Sequence, residues 1–358
     1  MTFTNHSRIE DQPLVRTWLY FVAALVFCMV IVGGATRLTD SGLSITEWQP
    51  LLGAIPPFSA AAWQEAFDKY KAIPEYQIIN KGMSLEAFKG IYWWEWSHRF
   101  LGRVIGLSVL IPLLLFWWRG LLSRDVKRRG SILFALILSQ GLLGWLMVKS
   151  GLTDRTDVSQ YRLAAHLSLA LFILSFTLWT AWRTKEEAGP AWSSRDVWPF
   201  ALVVAVFVQI GLGGLVAGMD AGMAYNTWPL MDGRLVPQGL FVMSPAWINF
   251  FENAMTVQFT HRVTAYVVLA LAVANLVLRA HTPASRQAAL LFVGAVLLQA
   301  AIGVWTLLMQ VPLSLGLLHQ AGAMIVLAAV LNNLWIARRE AVRPNERRIG
   351  AGVPQPMA

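Results

Sequence analysis

Apolar residues along this chain run in long stretches broken by short polar segments. Eight of the stretches reach the roughly 20 residues that a helix needs to cross a bilayer core. They lie near 17–36, 96–118, 131–149, 162–183, 197–217, 257–279, 288–309 and 314–337. The pattern predicts an all-α integral membrane protein with eight transmembrane helices. Glu10, Asp11 and Pro13 precede the first stretch, and no small-residue cleavage site follows Cys28, so the first span is expected to be retained and not removed as a signal peptide.

Two polar connections are long, near 38–92 and 218–255, and connections of that length usually carry function or structure of their own. In the first, Trp63, Phe67 and Tyr70 recur at helical spacing before Pro74. They predict a short amphipathic helix, lying over the membrane face or simply capping the bundle.

Composition sharpens this reading. Of 358 residues, 56% are hydrophobic and only 14% are charged, against about a quarter charged in ordinary soluble domains. The net charge of +9 therefore argues for topology before it argues for nucleic acid, and no nucleic-acid partner is expected. The richest basic clusters are Arg124, Lys127, Arg128 and Arg129 after span two, and Arg338, Arg339, Arg343, Arg347 and Arg348 at the tail. Placing both termini in the cytoplasm collects these clusters on the inner side. The tail beyond 338, with Pro344, Pro354 and Pro356, reads as a polar, frayed topology anchor that can touch anionic membrane lipid. The single cysteine, Cys28, lies inside an apolar run, which leaves no internal disulfide, no thiolate metal site and no c-type haem attachment.

The chain also repeats itself. Gly33, Gly34, Asp40, Gly42 and Trp48 recur at one constant offset as Gly213, Gly214, Asp220, Gly222 and Trp228. Glu95, His98 and Arg99 answer Gln258, His261 and Arg262; Gln140 and Gly144 answer Gln299 and Gly303; and His166 answers His319. Four spans per half give both halves the same orientation, so the repeat is parallel, two four-helix bundles related by an axis along the membrane normal. The expected organisation is a cytoplasmic segment 1–16, an N-terminal half 17–183, a linker 184–196, a C-terminal half 197–337 and a cytoplasmic tail 338–358.

Four of the six histidines, His98, His166, His261 and His319, fall within the first turns of even-numbered spans, at one depth near the outer face. Ionisable groups within a bilayer are costly and tend to mark function. Two imidazoles projecting from facing helices of a four-helix unit can supply both axial positions of a haem iron. Zinc or copper is disfavoured, since the two pairs do not each have a carboxylate or thiolate to complete a tetrahedral zinc site. Arg99 and Arg262 each follow one of these histidines, where a guanidinium can pair a haem propionate or merely snorkel to the interface. The halves differ at one position: Glu95, three residues before His98, is matched by the neutral Gln258. A carboxylate beside one site alone suggests that the first half does chemistry and the second relays electrons. The plainer reading is that Glu95 favours the positive end of its helix.

Glu95, His98 and Arg99 opening span two, Gln258, His261 and Arg262 opening span six, the loop from Asp220 to Met231, and the histidines of spans four and eight together resemble the haem A synthase family over roughly 16–337, most closely its alphaproteobacterial and mitochondrial branch. The resemblance implies an oxidoreductase that converts haem O to haem A by oxidising a porphyrin methyl group to a formyl group, for terminal oxidase assembly. It implies substrate-haem ligands His98 and His166, haem b ligands His261 and His319, and an essential acid at Glu95. Some bacterial relatives carry a cysteine pair in an outer loop; this chain does not, so no thiol step in that loop is expected. Implied partners are a haem O-producing enzyme and an electron partner, and Gly102 and Gly106 offer small-residue spacing for a neighbouring helix or a second protomer. The expected location is a bacterial inner membrane, with the haem sites near the periplasmic face. Two other classes also use four histidines: a diheme b-type electron-transfer protein and a haem transporter or chaperone.

Overall fold

The structure, a computed structural model, describes residues 12–49, 52–152, 156–185 and 194–350. Its elements are α1 (Pro13–Leu38), α2 (Ala60–Lys71), α3 (Pro74–Ile78), α4 (Leu85–Trp118), α5 (Arg124–Gly151), α6 (Gln160–Arg183), α7 (Val197–Gly218), α8 (Asn249–Glu252), α9 (Ala254–Arg279), α10 (Pro283–Leu308) and α11 (Leu313–Gly350). Eight of these helices are long and apolar enough to cross a membrane, and each overlaps one of the expected spans. They fit a multi-pass membrane protein. Large side chains such as Phe21, Leu107, Ile111, Leu138, Leu142 and Leu298 stand exposed on them, as a helix facing lipid requires.

The helices close into two sets of four. Within the first, α1 packs on α4 and α6, and α5 packs on α4 and α6; within the second, α7 packs on α9 and α11, and α10 packs on the same two helices. The sets meet where α6 lies along α7 and α1 lies along α11. Gly214 makes the first contact possible, since a Cβ there would lie 3.1 Å from the Ala164 Cα. A core of Leu19, Val22, Val109, Leu133, Leu171, Leu202, Phe292 and Leu327 runs through both sets.

Two boundaries differ from expectation. Helix α4 starts at Leu85, well before 96, because Ser84 caps it by accepting from the Ala87 N–H and Glu86 complements the first turn. Its first turns stand clear of the apolar span and belong to an aromatic cluster. Consequently His98 lies about four turns into its helix, whereas His166, His261 and His319 lie about two turns in. At the other end, the expected fraying beyond 338 is not seen up to Gly350, since α11 continues to that residue; residues 351–358 lie outside the described residues.

The expected amphipathic helix is present as α2, capped by Ser59, which accepts from Ala62 N. Phe67 stacks on Phe88 at 5.0 Å, Tyr70 lies 5.2 Å from Phe88, and Trp63 meets Tyr92 edge-on at 4.9 Å. Leu43, Ile73 and Val158 complete this cluster, so α2 and α3 are pinned to the α4 extension. The second long connection is held by buried Asn249, whose amide donates to the carbonyls of Met243 and Ala246. Its Asp232–Gly233 turn has both residues at positive φ.

Candidate functional site

All four bundle histidines face a glycine on a neighbouring helix. A Cβ added at Gly33 of α1 would lie 3.1 Å from His98 Nε2, and one at Gly213 of α7 would lie 3.1 Å from His261 Cε1. The corresponding distances are 3.0 Å from Gly144 of α5 to His166 and 2.7 Å from Gly303 of α10 to His319. Each ring is thus seated where only a residue without a side chain leaves room. The glycine pairs noticed in the repeat therefore have a physical job, which is to admit an imidazole between helices.

Three of these cradles include a glutamine four residues before the glycine. Gln140 Nε2 donates to the His166 carbonyl at 3.0 Å, Gln209 Nε2 to the His261 carbonyl at 3.1 Å and Gln299 Nε2 to the His319 carbonyl at 2.8 Å. Gln209 and Gln299 also lie 3.1 Å from the Nδ1 atom of their histidine. The repeat had shown Gln140 and Gln299 without their partners; Gln209 was missed, although its spacing to Gly213 carried the same signal.

In the first half the two rings meet edge-on at an interplanar angle of 62°, with centres 6.4 Å apart. Two imidazoles bonded to one iron from opposite sides, at about 2 Å each, hold their ring centres at about this distance. His166 Nδ1 is buried without a hydrogen-bond partner, and so are the Oε1 atoms of Gln140, Gln209 and Gln299. A metal-bound histidine turns its other ring N–H toward an acceptor, and the side-chain amides of Gln209 and Gln299, 3.1 Å from the Nδ1 atoms of His261 and His319, could supply one by turning the oxygen to the ring. Among the described residues no group of three or more His, Cys, Asp or Glu has metal-binding geometry. A pair of imidazoles alone suits a macrocycle that brings its own equatorial nitrogens, and the residues present fit a haem.

Glu95 is 2% exposed, and both its oxygens are taken. Oε2 accepts from Ser44 Oγ and Ile45 N–H, each at 2.7 Å; Oε1 accepts from Arg99 Nε at 3.1 Å and Nη2 at 2.6 Å. Arg99 donates onward to the carbonyls of Ile45 and Glu47. The second half repeats this with polarity adjusted. Gln258 accepts from Arg262 through Oε1 at 3.0 Å and donates through Nε2 to the Ala221 carbonyl at 2.8 Å, while Arg262 donates to the carbonyls of Tyr225 and Thr227. Where the loop offers an N–H and a hydroxyl the sequence has a carboxylate, and where it offers carbonyls it has an amide. Both arginines are thus tied to loop backbone, and Arg99 also lines a cleft of about 160 Å³ with Ser44, Tyr92 and Arg103.

A contact between the halves was not legible beforehand. Arg37 at the end of α1 pairs with Asp40 at 3.0 Å and with Asp220, beyond α7, at 2.7 Å. Asp40 and Asp220 are repeat counterparts and both adopt left-handed backbone, at φ 47 and 50.

Compared with known proteins, the chain matches the cytochrome oxidase assembly protein (COX15-CtaA) family over residues 16–331. It belongs to that family. It is 56% identical over 337 residues to the heme A synthase of Chelativorans sp. strain BNC1, covering 93% of each chain. It is 52% identical over 351 residues to that of Bradyrhizobium diazoefficiens, covering 96% of this chain and 98% of the relative. With the heme A synthase of Azorhizobium caulinodans it shares 55% identity over 322 residues, 88% of this chain and 92% of the other. The resemblance drawn from the histidine motifs is therefore family membership, and the alphaproteobacterial relatives agree with the branch they suggested.

Proposed function

We propose that this protein is a haem A synthase, an enzyme acting on haem. The observation that carries the reading is the half-buried His98–His166 pair, each ring seated on a glycine and the two spaced as axial ligands, in a chain whose relatives bear that name. The substrate is haem O and the product haem A, formed by oxidising a ring methyl to a formyl group. His98 and His166 hold the substrate haem in the N-terminal half, and His261 and His319 hold a haem b in the C-terminal half. Haem iron supplies the redox chemistry when bound.

The chain's own residues bind, orient and exclude water. Glu95 acts as a positioning residue: it fixes the 44–47 loop and Arg99 against the helix that carries His98. In this arrangement it offers a proton or its charge to the reacting edge only by giving up a loop hydrogen bond. Arg99 and Arg262 keep guanidinium N–H groups beside the two sites, suited to propionates. The two helix rings, their matching glycines and their matching arginine–loop bonds support two parallel halves with one haem each. Both termini lie in the cytoplasm, the haem sites face the periplasm, and the membrane is the bacterial inner membrane. There the protein receives haem O from the enzyme that makes it and passes electrons to a separate partner.

Single histidine replacements test the assignment. His261→Ala and His319→Ala are expected to remove the haem b absorption from the purified protein. His98→Ala and His166→Ala should keep it and abolish haem A in extracted pigment. Haem b retained at full occupancy in both C-terminal variants would overturn the division of labour between the halves.

A further inference from the structure

The four histidine cradles are not equal. Gln209 and Gln299 reach both the backbone carbonyl and the ring nitrogen of their histidines. Gln140 reaches only the carbonyl of His166, whose Nδ1 is left without a partner. In the fourth cradle, the residue four before Gly33 is Met29. Its methyl group packs over Gly102, one turn beyond His98, where an added Cβ would lie 3.3 Å from it. A thioether cannot donate a hydrogen bond and is at best a weak acceptor. Among the described residues no hydrogen bond reaches the His98 ring.

We infer that His98 is the exchangeable ligand of the substrate haem, and that Met29, standing where the other three cradles have glutamine, is what leaves it free to leave the iron. The inference rests on the haem assignment above. A six-coordinate iron has no position for a small exogenous ligand until one axial bond opens. Outer partners of a metal-bound histidine set its orientation and basicity, and losing one costs roughly 10-fold to 100-fold in metal affinity. In the second half the amides of Gln209 and Gln299 stand 3.1 Å from the Nδ1 atoms of their histidines; with the amide oxygen turned to an Nδ1–H they would hold both rings and keep that iron closed, as a relay requires. In the first half, His166 is held by its backbone and His98 only by packing, so the bond that opens is the one to His98. Met29 acts through His98 and is a positioning residue.

Carbon monoxide is the probe, applied to the dithionite-reduced, purified full-length protein carrying both haems. The wild type is expected to show a carbon monoxide difference spectrum from the first-half haem alone. Met29→Gln, nearly isosteric, should lower carbon monoxide affinity by roughly 10-fold to 100-fold at unchanged haem content, as an added outer partner implies. Gln209→Met, the reverse change, should make the second-half haem reactive as well. Met29→Gln with unaltered carbon monoxide binding, or a wild-type signal that disappears in His261→Ala and not in His98→Ala, overturns the inference. Purified protein without any haem would instead overturn the functional reading on which it rests.

Discussion

At Glu95 the surroundings fix what substitution does. The carboxylate is buried and accepts four hydrogen bonds, two of them from Arg99. Removing one partner of such a pair leaves the other charge uncompensated, at about 3–5 kcal/mol. Glu95→Ala should lower thermal stability by that order and release the 44–47 loop. Glu95→Gln keeps the shape but sets an amide N–H against the Ile45 N–H, so it should retain the helices and still lose haem A formation. A Glu95→Ala protein that melts with the wild type would contradict the anchoring role. Glu75 in α3 is a second residue with a defined consequence. Burial pushes its carboxyl up from 4.5 to about 8, partly opposed by the Tyr70 hydrogen bond and reinforced by the Glu95 charge. The folded state thus binds a proton that the unfolded chain gives up above 4.5, so this contribution to stability is complete below that pH. It is lost as pH rises toward 8. Glu75→Gln should flatten the rise in hydrogen exchange of residues 60–80 between pH 5 and pH 8, which are roughly the ends of that window; an unchanged profile would count against it. The four histidines and Glu95 were legible because each is a polar group in an apolar run. Their partners were not, since Ile45, Glu47, Ala221 and Tyr225 contribute backbone atoms that leave no mark on side-chain pattern.

Among elements, the spans were the most legible feature, because bilayer thickness imposes a length that hydropathy reports directly. The start of α4 was misplaced for the same reason. Hydropathy sees the part of a helix that meets lipid, whereas Leu85 to Trp96 is stabilised by Ser84 and by aromatic packing. Phe88 is fully buried between Phe67 and Tyr70. Phe88→Ala should therefore cost about 3–5 kcal/mol locally, raising proteolytic cleavage across 60–90 while the membrane helices stay protected. Equal loss of protection throughout the protein would show that α2 and α3 are not a separable cap. The α2 helix itself was readable from Trp63, Phe67 and Tyr70, since their spacing is the stripe that packs.

For the molecule as a whole, two helix rings share one pattern of seats. Repeat positions that looked like isolated identities, Gly33 with Gly213 and Gly144 with Gly303, each receive a histidine. The junction between the rings was hidden from sequence because Arg37 meets Asp220 only in three dimensions. A b-type electron-transfer protein or a haem carrier could use the same four histidines, so the central claim concerns product. The direct measurement is extraction and chromatography of pigment from the protein produced together with a source of haem O. The account predicts haem A beside haem b, and haem O or haem b without haem A when Glu95 is replaced by alanine. Haem b alone from both proteins would contradict it and leave a b-type electron-transfer protein in its place.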